Sequence, residues 1–188
     1  MKPSHQVLGV ALVVLCFASF DAGAQAAADA GEVLELGGTP PDARAVAEGL
    51  FPEDACDQLK AAGFKCMGVK PALRYALPTT SFRAGSAELP DALKAQLQVF
   101  AQVLKSRRGA GRMVRIEGHT DAAGSPAANV ALSLRRAQAV KDYLVDQGAD
   151  AAQLTAVGLG ASELRDPRNP LSPENRRIEI VRASSGAR

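Results

Sequence analysis

The sequence predicts an α/β fold: a two-layer sandwich whose elements run β-α-β-α-β-β, giving a mixed sheet with its helices on one face. Three patterns predict it. Leu93, Leu97, Phe100 and Leu104 recur at i, i+4, i+7 and i+11, the spacing of a helix stripe that packs on a sheet. Val114 and Ile116 alternate with Arg115 and Glu117, and Ile178 and Ile180 alternate about Glu179; period two marks strands with one face buried. Ser133, Ala137, Val140 and Leu144 then mark a second long helix that stops at Gly148, because glycine accepts the left-handed conformation that ends a helix.

With 188 residues, 47% of them hydrophobic and 22% charged, the chain falls in the globular range, as one domain plus an extension. A net charge of +2, 4% aromatics and no Trp supply neither a basic field nor a platform for base stacking, so no nucleic-acid partner is expected.

In chain order, Lys2, the apolar run Val7 to Phe20 and the small residues Ala22-Gly23-Ala24 have the layout of a cleaved export signal, setting residues 1–24 apart from the fold. A cut after Ala26 is the alternative. The apolar run falls short of the roughly 20 residues that span a bilayer. Cys16 stands where a lipid-anchor cysteine would be, but it follows Leu15 where a small residue is usual, so ordinary cleavage is expected over lipidation.

Residues 25–77 read as a spacer followed by a short helical segment. Gln25 to about Gly38 is rich in Ala and Gly and reads as flexible chain. Asp42 to Leu50 and Glu53 to Ala62 each suit a short helix, with Pro52 opening the second and Gly63 ending it. Once Cys16 leaves with the signal, Cys56 and Cys66 remain, and two cysteines in an oxidising compartment are expected to form a disulfide. A loop of that size contributes about 2–3 kcal/mol on the chain-entropy account. A redox or metal role is the alternative, without Cys-x-x-Cys spacing or accompanying His to support it.

The main domain covers residues 78–183, and 184–188 form a tail. A strand over Leu77–Phe82 opens it, Pro78 being tolerable only at a strand start or edge. Arg83 to Ser86 is a loop, the first long helix runs from near Pro90 to about Ser106, and Gly109 to Gly111 break it. Arg112–Glu117 is the next strand, leading to Asp121 in a short loop. The second long helix starts either with Ser125 capping and Pro126 first, or with Asn129 capping; the later start is preferred. Leu154–Gly160 and Arg177–Arg182 are the last strands, with the loop Ala161–Glu174 between them.

Three blocks carry a resemblance: Gly118-His119-Thr120-Asp121, Asn129-x-x-Leu132-Ser133-x-x-Arg136-Ala137-x-x-Val140, and Asn175-Arg176-Arg177-Ile178-Glu179. Together, from about Pro78 to Arg182, they resemble the outer-membrane protein A C-terminal-like (OmpA-like) domain. That resemblance implies non-covalent binding of peptidoglycan, in the periplasm or at the outer membrane; no catalysis or cofactor is expected, and His119, the only His beyond the signal segment, excludes a multi-His metal site. The resemblance also supplies the ligand, the diaminopimelate residue of the stem peptide, which carries an ammonium and a carboxylate on one carbon.

On this basis Asp121 takes the ammonium, and the Arg136 fork takes the carboxylate in a two-bonded geometry that Lys lacks. Asn129 adds an amide contact, backbone groups near Thr120, Ala122 and Ala123 complete the pocket, Ser86 stands at its margin, and of Arg176 and Arg177 one lines the site or both serve in solvent or sheet pairing. On spacing alone, Asp121 and Arg136, 136 − 121 = 15 residues apart, read instead as a surface ion pair. His119 is expected to be structural, and Leu132, Ala137 and Val140 to pack. The sequence departs from the commoner family pattern at Ala161-Ser162-Glu163-Leu164, which lengthens a turn. Residues 25–77 are a candidate segment for holding an envelope membrane protein. The competing class is a peptidoglycan-processing enzyme with His119 or Asp121 as base; no nucleophile elbow or paired carboxylate supports it.

Overall fold

The computed structural model describes residues 31–78 and 82–183. The export signal, Cys16, the first part of the spacer, the stretch 79–81 and the tail lie outside the described residues. Elements follow as β1 (Val33–Glu35), α1 (Ala43–Leu50), α2 (Glu53–Ala61), β2 (Arg74–Pro78), α3 (Asp91–Lys105), β3 (Val114–His119), α4 (Pro126–Asp146), β4 (Leu154–Gly160) and β5 (Arg177–Arg182). The strands form one five-stranded sheet in the order β1-β2-β5-β3-β4. The outer pairs β1/β2 and β3/β4 are parallel, and β5 runs antiparallel between β2 and β3. From β2 onward the expected β-α-β-α-β-β order is present.

The alternation places the core. Tyr75, Leu77, Val114, Ile116, Ile178 and Ile180 are buried on one sheet face, against Leu93, Leu97, Phe100 and Leu104 of α3 and Ala137, Val140 and Leu144 of α4. Tyr75 packs edge-on against Phe100 and donates its hydroxyl to Ala45 O of α1 at 2.9 Å. Burial raises that hydroxyl's pKa to about 12.

Four elements differ from the sequence expectation, the first being the strand expected over Arg112–Glu117, which is β3, Val114–His119, because its pairing with β4 and β5 continues through Gly118 and His119. The strand expected over Leu77–Phe82 starts earlier, at Arg74, as β2: Tyr75 and Leu77 supply the buried face, and Pro78 is its last described residue. Phe82 is buried beyond it, in a bend. Val33–Glu35, within the expected spacer, is a strand parallel to β2, and Leu36 N donates to Ala76 O at 2.9 Å. The second long helix starts at Pro126, not at Asn129: Ser125 caps it, its Oγ accepting from Ala128 N at 3.2 Å.

Two glycines let α4 lie directly on the sheet. A Cβ on Gly118 of β3 would collide with the Ser133 carbonyl, and one on Gly158 of β4 would come within 2.6 Å of Val130 O. Close approach of backbone to backbone is a use to which only glycine is suited. Ser133 completes the seam by donating to Val130 O and accepting from Gly160 N, both at 2.9 Å.

Candidate functional site

The carboxyl end of β3 opens into the loop that carries Asp121. Its backbone is held on several sides. Thr120 N donates to Gly160 O at 2.9 Å, Ala122 N to Pro170 O at 2.9 Å, and Ala123 N to Asp121 Oδ1 at 3.1 Å. Asn129, one turn into α4, donates its amide to Asp121 O at 3.2 Å. The N–H groups of Thr120, Ala122 and Ala123 therefore serve the loop. Thr120 Oγ1 is buried and has no hydrogen-bond partner among the described residues.

Arg136 is 4% exposed. Its Nε donates to Ser86 O at 2.9 Å and its Nη2 to Arg83 O at 3.4 Å, and its guanidinium sits 4.8 Å from the Phe82 ring centre, a cation–π arrangement. Ser86 thus meets the site through its carbonyl, while its Oγ accepts from Glu88 N. Asp121 does not pair with Arg136; it pairs with Arg176, whose Nη1 lies 2.6 Å from Asp121 Oδ2. Among the described residues no carboxylate forms an ion pair with Arg136. Burial, with Arg176 nearby, pushes the Arg136 pKa down, partly offset by Asp121. A buried charge of this kind is costly until a counter-ion meets it.

Arg176 stands at the end of the long connection between β4 and β5. Asn175 is fully buried and organises it: Nδ2 donates to Asn169 O at 3.0 Å and Pro170 O at 3.2 Å, and Oδ1 accepts from Asp166 N at 2.9 Å. Through Pro170 the same loop holds Ala122. A cleft of about 470 Å³ opens beside Arg176, lined also by Glu35, Pro78, Arg165, Pro173, Glu174 and Arg177.

The other sheet face carries charge instead of a second apolar layer. Glu117 and Glu179 stand opposite each other on β3 and β5, a like-charge pair that repels. Arg74 Nη2 bridges them at 2.5 and 2.6 Å, Arg115 Nε reaches Glu117 at 2.5 Å, and Arg177 Nε reaches Glu179 at 2.6 Å. Burial alone would raise the Glu179 carboxyl, yet Arg177 and Arg74 hold it below its usual range.

His119 lies beside this network, 1% exposed, and neither ring nitrogen has a hydrogen-bond partner among the described residues. Burial, reinforced by Arg177, lowers its pKa to about 4. Ligand-type atoms of Glu117, His119 and Glu179 fall within 4.8 Å of one another, but both carboxylates are already committed to arginines.

The sequence pattern of the OmpA family matches residues 81–178. The chain is 42% identical over 108 residues to the peptidoglycan-associated lipoprotein of Pseudomonas aeruginosa, covering 56% of this chain and 62% of that protein. It is 42% identical over 76 residues to the peptidoglycan-binding protein ArfA of Mycobacterium tuberculosis, covering 36% of this chain and 22% of that one. Among solved structures, the periplasmic domain of Helicobacter pylori MotB superposes with a TM-score of 0.51 at 19% identity, over 60% of this chain and 83% of that one, a likeness of fold. The family match takes in more than half of the chain, including the Asp121 loop, all of α4 and Arg176, which pairs with Asp121, and the chain therefore belongs to the OmpA family.

Proposed function

We propose that this chain binds peptidoglycan without chemical change and so holds its position at the cell wall, with the diaminopimelate residue of the stem peptide as the group recognised. One observation carries the reading: Arg136 is buried, charged and without a carboxylate partner among the described residues, and it stands close enough to Asp121 to feel its charge. A ligand carboxylate supplies the missing counter-ion. The ligand ammonium goes to Asp121, taking the place that Arg176 holds at Oδ2. The Thr120 hydroxyl, without a hydrogen-bond partner among the described residues, has the same requirement for a polar ligand atom. The names of the P. aeruginosa and M. tuberculosis relatives record association with, or binding of, peptidoglycan.

A hydrolytic role is disfavoured by His119. Buried, and with its pKa lowered to about 4, its ring has no solvent-facing edge to offer a substrate. The position is at the periplasmic wall, and an envelope membrane partner for residues 25–77 fits that placement. No helix among the described residues is long and apolar enough to cross a membrane.

The test is calorimetric titration of the full chain with the stem tetrapeptide that carries diaminopimelate and, in parallel, with the same tetrapeptide carrying lysine, whose α-groups are in peptide bonds and whose free end keeps an ammonium and lacks the carboxylate. Loss of one charge-assisted pair is worth about 1.5–3 kcal/mol, so the lysine tetrapeptide should bind at least about tenfold more weakly. Equal heats and affinities for the two would sink the assignment of Arg136.

A further inference from the structure

The chain between α2 and β2 lies outside the residues matched to the family, and its surface is unlike the rest. From Asp57 to Pro71 every residue but Cys66 is exposed. Leu59, Phe64, Met67 and Val69 are 45%, 65%, 96% and 49% exposed, so large apolar side chains stand in water over one short segment. We propose that this disulfide-closed loop docks on the surface of an anionic phospholipid bilayer.

The display is built, not loose. Gly63, at φ +84, ends α2 with Gly63 N donating to Lys60 O at 3.0 Å and Phe64 N to Leu59 O at 2.9 Å. That paired bonding is a Schellman stop, which turns the following residue back over the last helical turn. The Cys56–Cys66 disulfide, Cα atoms 5.4 Å apart, then fixes the chain to the same helix. Phe64 and Met67 flank its closing end.

Charge selects the occupant. Lys60, Lys65 and Lys70 are interleaved with the apolar residues, and from Gln58 to Leu73 there is no Asp or Glu. Of the neighbouring acids of α2, Glu53 pairs with Arg182 and Asp54 with Arg107 and Arg112, while Asp57 pairs with Arg112 at 2.7 Å and stands 3.8 Å from Lys60, leaving Lys65 and Lys70 with no acid between Gln58 and Leu73. Protein interfaces deplete Lys at their centres. A membrane interface favours this mixture, apolar side chains entering the headgroup boundary while lysines reach lipid phosphates.

Position agrees. Arg112 and Arg182 tie α2 to the start of β3 and the end of β5, whereas Asp121 lies past the other end of β3. The loop and the Asp121 site therefore occupy opposite ends of the sheet, one available to a membrane while the other faces the wall.

The chain has no Trp, so Phe64→Trp in the full chain reports on this loop alone, whatever the N-terminal apolar run does. With vesicles of phosphatidylglycerol and phosphatidylcholine, its emission should shift to the blue and be quenched by acyl-brominated lipid; phosphatidylcholine alone should leave it unchanged. Each lysine near an anionic surface is worth roughly fivefold, so the same variant carrying Lys60→Gln, Lys65→Gln and Lys70→Gln should bind on the order of 100-fold more weakly, with wall binding untouched. An indole that stays water-exposed with anionic vesicles, or that shifts equally with neutral ones, overturns the proposal. The former result would leave a protein as the occupant.

Discussion

Arg136 has a structural role as well as the proposed ligand role, since it anchors the Arg83–Ser86 loop through two carbonyls and the Phe82 ring. Arg136→Lys separates the two: Lys keeps the charge and loses the fork. Binding of diaminopimelate should fall tenfold or more, and chemical denaturation should show a smaller loss of stability, about 1 kcal/mol per lost hydrogen bond. His119 yields a pH prediction. Its folded pKa of about 4 lies below the ordinary histidine value of 6.5, so the unfolded chain binds more protons between those values, and stability rises with pH across that window. The shift corresponds to about 3 kcal/mol, present above pH 6.5 and lost as pH falls toward 4. Glu179, held below its normal pKa by Arg177 and Arg74, adds a further loss at still lower pH. Denaturant unfolding at a series of pH values should show this slope, and His119→Gln should flatten it between pH 4 and 6.5.

At the scale of elements, the seam between α4 and the β3–β4 pair decides where the site residues stand. Gly118→Ala should drive a methyl into the Ser133 carbonyl, costing about 1–3 kcal/mol as other overpacked sites do. Because Ser133 and Arg136 share α4, thermal melting and ligand affinity should fall together. Asn175→Ala should act differently. It removes the amide that gathers Asp166, Asn169 and Pro170, so Ala122 and Arg176 lose their support and binding suffers while the core, read by near-ultraviolet dichroism, is kept. The helix stripes were legible because a buried face imposes its period on sequence. Ser125 was legible only as one of two caps, since Asn129 suits a cap equally well and its amide goes instead to Asp121 O. The strand β1 was hidden because Val33-Leu34-Glu35 is too short to show a period; only its partner β2 makes it a strand.

Across the whole molecule, the motifs placed Asp121, Asn129 and Arg136 together, but not who pairs with whom. Arg176 takes Asp121 through a contact spanning a loop whose course depends on Asn175, and no local pattern encodes that. Likewise Glu117, Glu179 and Arg177 were visible only as polar positions in expected strands, and Arg74 fell before the expected first strand, until register set the four side by side. The segment from α1 to β2 is integral to this body, held by Tyr75 to Ala45 and by α2 to Arg107, Arg112 and Arg182. Removing the disulfide with Cys56→Ser and Cys66→Ser should therefore lower overall stability by about 2–3 kcal/mol without changing affinity for the wall, as chemical denaturation and sedimentation together would show. The most direct test of the wall-binding account is co-sedimentation of the full chain with insoluble diaminopimelate-type peptidoglycan, beside Asp121→Ala and Arg136→Lys variants shown to be folded. The unmutated chain should pellet with the wall and both variants should remain in solution; pelleting of all three alike would contradict the account.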